Sequence, residues 1–247
     1  MQYFLDTTGT IPEGVGFEHF SPLHIGWLIF AVVFITTISL IYHRQNAEDR
    51  RKTRKFLAAL LVADELWKMF WLTVGGRYEI QYLPLHLCSI NIFLIAYHCF
   101  HPNKALDNFL YIVCIPGALA ALLFPSWSAL PFANFMHLHS FTVHTLLVAY
   151  PIVLLVNGEL QPDIKELPKS LLLLAVLAGI ALCVNILFDE NFMFLMYAEP
   201  GNPLYIFVEA FGSHLIGFPV IIVGILLVMY GIPLLFKKVR NKQTVSV

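Results

Sequence analysis

Leu83-Pro84-Leu85-His86-Leu87-Cys88-Ser89-Ile90-Asn91 sets an imidazole, a thiol, a hydroxyl and an amide at the start of an otherwise apolar segment. The residues that follow, Ile92-Phe93-Leu94-Ile95-Ala96-Tyr97, are almost pure hydrocarbon and read as membrane-spanning helix. Lipid penalises polar side chains, so a cluster of this kind has either a task or a buried partner. The stretch therefore points to an integral membrane protein with a polar pocket near one face.

Composition carries the same message. Of 247 residues, 58% are hydrophobic and only 13% charged, a balance foreign to soluble domains. A net charge of -1, with no basic patch interleaved with aromatics, argues against nucleic acid as a partner. Residues 1–13 have no Lys or Arg and no apolar core, so a cleavable signal peptide is not expected.

Working outward, seven hydrophobic stretches approach the length that a bilayer core demands, roughly 17 to 25 helical residues. They are 23–42, 56–74, 83–100, 108–124, 136–156, 170–188 and 204–236. The last is long and holds Gly212, Gly217, Pro219, Gly224 and Gly231, which predicts tilt or a kink. Backbone groups in lipid must be satisfied within the segment, so each span is a helix and the fold class is all-α. Short loops make one compact bundle over residues 1–247 the expected domain organisation.

Basic residues orient the bundle. Arg44, Arg50, Arg51, Lys52, Arg54, Lys55, Lys104, Lys165, Lys169, Lys237, Lys238, Arg240 and Lys242 fall on one side, against Arg77 alone on the other. The positive-inside rule then puts the N-terminus outside and the C-terminus in the cytoplasm of a multi-pass protein of the cytoplasmic membrane. The longest outer segments are the N-terminal tail and residues 189–203, the latter a candidate lid or cover for the outer mouth.

At 1.5 Å of rise per residue, Cys88 lies roughly 7 Å below the outer boundary, with Asn91 a turn deeper. Lys68 and Glu65 come at about 9 and 14 Å, His144 near 12 Å, and Glu209 and His214 at about 7 and 14 Å. Asn185 is shallower, and the inner half looks nearly bare of such groups. Helical phase places Cys88 with Asn91 on one face and His137, Phe141 and His144 on another. Glu65 and Lys68, three apart, are spaced to pair, whereas Asp64 points about 100° away and is assigned to another contact. His137 and His139, near the boundary, are read as side chains that reach toward water. Cys99, Cys114 and Cys183 lack polar company, and no disulfide framework is indicated.

Four chemistries fit this pattern. In thiol-based acyl transfer, Cys88 needs a base, which His144 or His86 would supply, while Lys68 would favour the anion. Cys88 is placed in the second turn after Pro84, where the helix dipole has faded. A three-histidine zinc hydrolase would draw on His86, His137, His139, His144 and His214, although no H-E-x-x-H spacing occurs. A transporter or lipid receptor would use the same polar slab, and so would a purely structural set of interhelical hydrogen bonds.

The motifs also resemble a known family. Leu83-Pro84-Leu85-His86-Leu87-Cys88-Ser89 resembles the L-P-L-H-L-C signature of the YwaF-like bacterial integral membrane family. The likeness continues in Glu65 with Trp67, in Phe141-Thr142-Val143-His144, and in Asn185-Ile186-Leu187-Phe188-Asp189-Glu190-Asn191-Phe192-Met193-Phe194-Leu195. It covers the chain from about residue 55 onward. That family is similar to the eukaryotic transmembrane protein 164 group, and the resemblance implies a cysteine-dependent acyltransferase moving fatty acyl chains between phospholipids and lysophospholipids. In the eukaryotic pattern the thiol directly precedes the histidine. The matching position here is Leu85, with His86 the shared histidine and Cys88 three residues on.

The reading adopted is a seven-helix bundle in which Cys88 attacks an ester carbonyl and His144, or His86, acts as base and then acid. Asn91 and Asn185 assist geometry or the oxyanion, and Glu65 with Lys68 sets local charge. His137, Asn191, Glu209 and His214 support binding of a phospholipid or lysophospholipid. No metal or cofactor is called for.

Overall fold

The structure, a computed structural model, describes residues 2–233. The basic tail Lys237, Lys238, Arg240 and Lys242 and the end of the expected 204–236 span lie outside the described residues. Among the described residues every regular element is helical. They form two compact units, divided after Met196.

Helix starts follow local chemistry. In α1 (Pro22–Arg44), Ser21 accepts from the His24 amide, with Pro22 fixing the first turn. In α2 (Ala47–Val74), Asn46 accepts from the Asp49 amide, and Glu48 and Asp49 sit in the positive first turn. After α3 (Leu87–Phe100), α4 (Lys104–Phe109) and α5 (Ile115–Leu123), Asn134 caps α6 (Phe135–Val156) through the Met136 and His137 amides. Its amide nitrogen donates to the Tyr3 and Asp6 carbonyls, both at 2.7 Å, which fastens the N-terminal segment to this end of the bundle. Gly16 passes so close to the 128–129 backbone that a Cβ would meet Ser128 O at 2.1 Å.

Proline shapes the middle of two spans. Pro116 has no N–H to offer and crowds the preceding turn, and residues Leu110–Cys114 before it widen into a π-helix. Pro151 inside α6 likewise leaves the Leu147 carbonyl without its helical donor. The Cys114 thiol donates to that carbonyl at 3.4 Å, so one irregularity satisfies the other.

Five helical stretches are long and apolar enough to cross a membrane: Pro22–Arg44, Lys104–Leu123, Phe135–Val156, Ile164–Phe188 and His214–Gly231. Of the seven expected stretches, 56–74 belongs to α2, which carries Asp64, Glu65 and Lys68. The 83–100 stretch is helical only from Leu87, giving 14 residues or about 21 Å, short of a core roughly 30 Å thick. The α6 helix is central: 78% of its most apolar window is buried, against 11% in α1 and in Ile164–Phe188, which ends in α7 (Leu167–Phe188). Those outer helices instead expose apolar side chains such as Val32, Val33, Leu172 and Leu187, as lipid contact requires.

In the second unit, α8 (Tyr205–Phe211) stops at Gly212, whose φ of +74° suits glycine. A short 3₁₀ turn, His214–Ile216, leads into α9 (Gly217–Leu226). The kink expected in the last stretch is thus a full break.

Candidate functional site

Within the first unit, polar side chains from α2 and α6 meet in the interior. Lys68 Nζ pairs with Glu65 Oε1 at 2.5 Å, the two side chains being 7% and 3% exposed. The His139 ring lies between two carboxylates, with Nδ1 3.4 Å from Asp64 Oδ1 and Nε2 3.8 Å from Glu65 Oε2. Asp64 also accepts from Thr142 Oγ1 at 2.8 Å. Asp64 and Glu65 therefore do not serve separate contacts, as their phase on α2 suggested; one imidazole bridges both.

His137 and His139 are both buried rather than turned to water. His137 Nδ1–H donates to the Leu130 carbonyl at 3.0 Å, and its Nε2 accepts from Trp27 Nε1 at 2.9 Å. Both nitrogens are used, and Phe141 and Trp27 stack alongside at 4.9 Å. His137 is a structural tie between α1 and α6. The three-histidine zinc alternative loses a ligand here, and no group of three or more His, Cys, Asp or Glu is placed to hold a metal among the described residues.

His144 is held differently. Its Nδ1–H donates to the Ser140 carbonyl at 2.6 Å, and its ring stacks on Trp127 at 5.1 Å with only 15° between planes. Nε2 is thereby left with its lone pair, in a fixed plane, as a base requires. Asp64 and His139 act on it electrostatically, which ties it to the α2 network.

On α3, His86 is the residue that caps the helix, in extended conformation. Helix therefore begins at Leu87, and Cys88 lies in the first turn rather than the second. That places the thiol beside amides that have no partner within the helix. Cys88 is half-buried and lies within electrostatic reach of Cys114. No hydrogen bond joins it to His86 or His144 among the described residues. All four cysteines are free.

Residues 189–196 close over His86. Met193 N–H points at His86 Nδ1 at 3.4 Å, and the Phe192 and Phe194 rings lie 5.2 and 6.0 Å from the imidazole. With Nδ1 accepting, Nε2 carries the proton and His86 is a donor. Lys68 acts on it electrostatically, which links it to the α2 network. Asn185 fixes the cover: its amide donates to Phe192 O at 3.0 Å and accepts from Phe192 N at 2.7 Å. Asn191 accepts from the Met196 amide at 3.0 Å. Asp189, Met193 and Phe194 all hold positive φ, a costly conformation for non-glycine residues.

Asn91 is 3% exposed, and its Oδ1 has no hydrogen-bond partner. The same holds for Glu65 Oε2, His139 Nδ1, Trp127 Nε1 and Thr145 Oγ1. Glu209 is exposed on α8, while His214 is buried within the second unit beside Phe218.

The opposite end of the first unit is not bare. His98 joins Tyr150 Oη at 2.9 Å and Asp107 Oδ1 at 2.8 Å, all three buried. In the sequence, the i, i+9 spacing of His98 and Asp107 across a turn gave no helical phase to link them. A family model, that of the TMEM164 family, matches residues 18–230. No curated protein and no solved structure gives a significant match.

Proposed function

The chain belongs to the TMEM164 family, and from that premise we propose that it is a membrane-embedded lipid acyltransferase with Cys88 as nucleophile. The observation that carries this reading is His144, buried with Nδ1 committed to the Ser140 carbonyl and Nε2 left with its lone pair, next to Thr145, whose buried Oγ1 has no hydrogen-bond partner. Buried polar atoms in a folded chain are nearly always paired, so an uncommitted imidazole nitrogen and hydroxyl there support a polar ligand.

The roles divide by tautomer. His144 Nε2 takes the Cys88 proton as the sulfur attacks the ester carbonyl of a phospholipid. His86 Nε2–H and the first-turn amides of α3 face the developing oxyanion. Collapse of the tetrahedral intermediate breaks the acyl C–O bond, and the His144 imidazolium returns the proton to the departing lysophospholipid oxygen. The hydroxyl of a second lysophospholipid, or water, then attacks the thioester and regenerates the thiol. Contact between Cys88 and His144 forms as substrate enters, since catalytic hydrogen bonds tighten in the complex.

The bundle carries this site in the outer-leaflet half of the cytoplasmic membrane, with α2 and α3 completing seven crossings and the N-terminus outside. That orientation is supported by Arg77 standing alone against the basic side.

Release of labelled fatty acid, or its transfer to added lysophospholipid, by purified protein tests the reading. Cys88→Ala is expected to abolish turnover, and His144→Gln to lower it by roughly 10²-fold or more. Cys88→Ala at full turnover would end the proposal.

A further inference from the structure

The end of the first unit where α1 passes into α2 holds a second polar site that the acyl-transfer chemistry does not use. Glu159, just beyond α6, accepts from Tyr42 Oη at 2.7 Å and pairs with Arg50 at 3.2 Å and Arg54 at 3.3 Å. Arg50 is fully committed. Its Nε and Nη2 donate to the Gln45 and His43 carbonyls, and its guanidinium lies over the Tyr42 ring at 5.2 Å. Arg54 is not: its Nε is buried and has no acceptor.

A cavity of about 280 Å³ opens beside them, lined by Gln45, Ala47, Arg50, Arg54 and Glu159. Two guanidinium groups against one carboxylate leave its wall with one positive charge in excess. Arg51, Lys52 and Lys55 lie on the same helix outside the lining. The volume is just under the range of sites for drug-sized molecules, which suits a headgroup rather than a whole lipid. A planar guanidinium with a spare donor matches a tetrahedral oxyanion better than it matches any neutral group.

We propose that this cavity binds a phosphate oxyanion, carried on a lipid headgroup or free in solution. Arg54, whose buried Nε–H has no acceptor, becomes the principal donor as its guanidinium turns toward the anion, and Arg50 forms a wall. Glu159 holds both arginines in place while the seat is empty and gives ground when the anion enters. The assignment stands apart from the acyl-transfer reading, because none of its residues belongs to the Cys88 site.

The test titrates inorganic phosphate and, separately, short-chain phosphatidylglycerol onto the full-length protein in neutral detergent, followed by calorimetry. Saturable binding of either probe to the wild-type chain is expected. Phosphatidylglycerol alone identifies a headgroup seat, and comparable binding of inorganic phosphate identifies a seat for the free anion.

Arg54→Gln is expected to weaken binding roughly tenfold or more, and Arg54→Lys several-fold, because the fork is lost. Lys52→Gln removes the same charge from an exposed position and is expected to change binding by less than about twofold. Should the Arg54 variants fail to fold, Glu159→Gln gives the independent reading: loss of the competing carboxylate is expected to tighten binding several-fold. Absence of saturable binding, equal losses from Arg54→Gln and Lys52→Gln, or no tightening in Glu159→Gln would each overturn the assignment.

Discussion

Glu65 and Lys68 show how much a single buried pair governs. Each is nearly inaccessible, so removing one strands the other in the interior, a cost of about 3–5 kcal/mol. Glu65→Leu or Lys68→Met alone is expected to lower the melting temperature sharply in detergent. The double change Glu65→Leu with Lys68→Met is expected to recover most of the loss, because well-packed apolar side chains replace a buried pair at little or no cost. Strict additivity of the two single effects would show that the ion pair is not the controlling contact. The pair itself was legible from its i, i+3 spacing. The part played by His139 was not, because its bridge to Asp64 depends on how α6 is rotated against α2. Periodicity along one helix carries no information about that rotation. His137 was misplaced for a related reason: proximity to a helix start suggested water, whereas the N-terminal segment and Trp27 cover it.

Hydropathy located the elements but not all their starts. Asn46 caps α2, which begins at Ala47, ahead of the expected 56, while α1 and α6, capped by Ser21 and Asn134, begin within a residue of the expected 23 and 136. Pro84 misled, because proline is equally at home in the extended approach to a helix, and it is His86 that caps α3. The π-helical Leu110–Cys114 segment was hidden, since its cause, Pro116, lies beyond it and acts backwards along the chain. Residues 189–196 illustrate an element held by one side chain. Asn185 makes both hydrogen bonds to Phe192, each worth about 1 kcal/mol net, and they restrain a segment with three non-glycine residues at positive φ. Asn185→Ala is expected to raise hydrogen exchange at the Phe192 amide by roughly an order of magnitude or more while the amides of α6 stay protected. Unchanged protection at Phe192 would show that the cover is secured by the aromatic packing on His86 alone.

At the scale of the molecule, the apolar exterior of α1 and α7 around the buried α6 is that of a helical membrane protein, as composition foretold. Hydropathy weighs the charges of α2 as it would solvated ones, although Glu65 and Lys68 pair in the interior. The orientation proposed from basic residues has a direct check. With the native cysteines replaced, Arg77→Cys is expected to react with a membrane-impermeant maleimide on intact cells, and Lys104→Cys only after permeabilisation. The reverse pattern would invert the bundle and place the Cys88 site in the other leaflet.

The central claim is that Cys88 carries the acyl group between donor and acceptor. Intact-mass analysis of purified protein incubated with a phospholipid of defined chain, without acceptor, tests it most directly. The account predicts one added acyl mass, removed by hydroxylamine, mapping to Cys88 and lost in Cys88→Ser. An unmodified Cys88 in protein that turns lipid over, or an acyl group mapping to another residue, would contradict it.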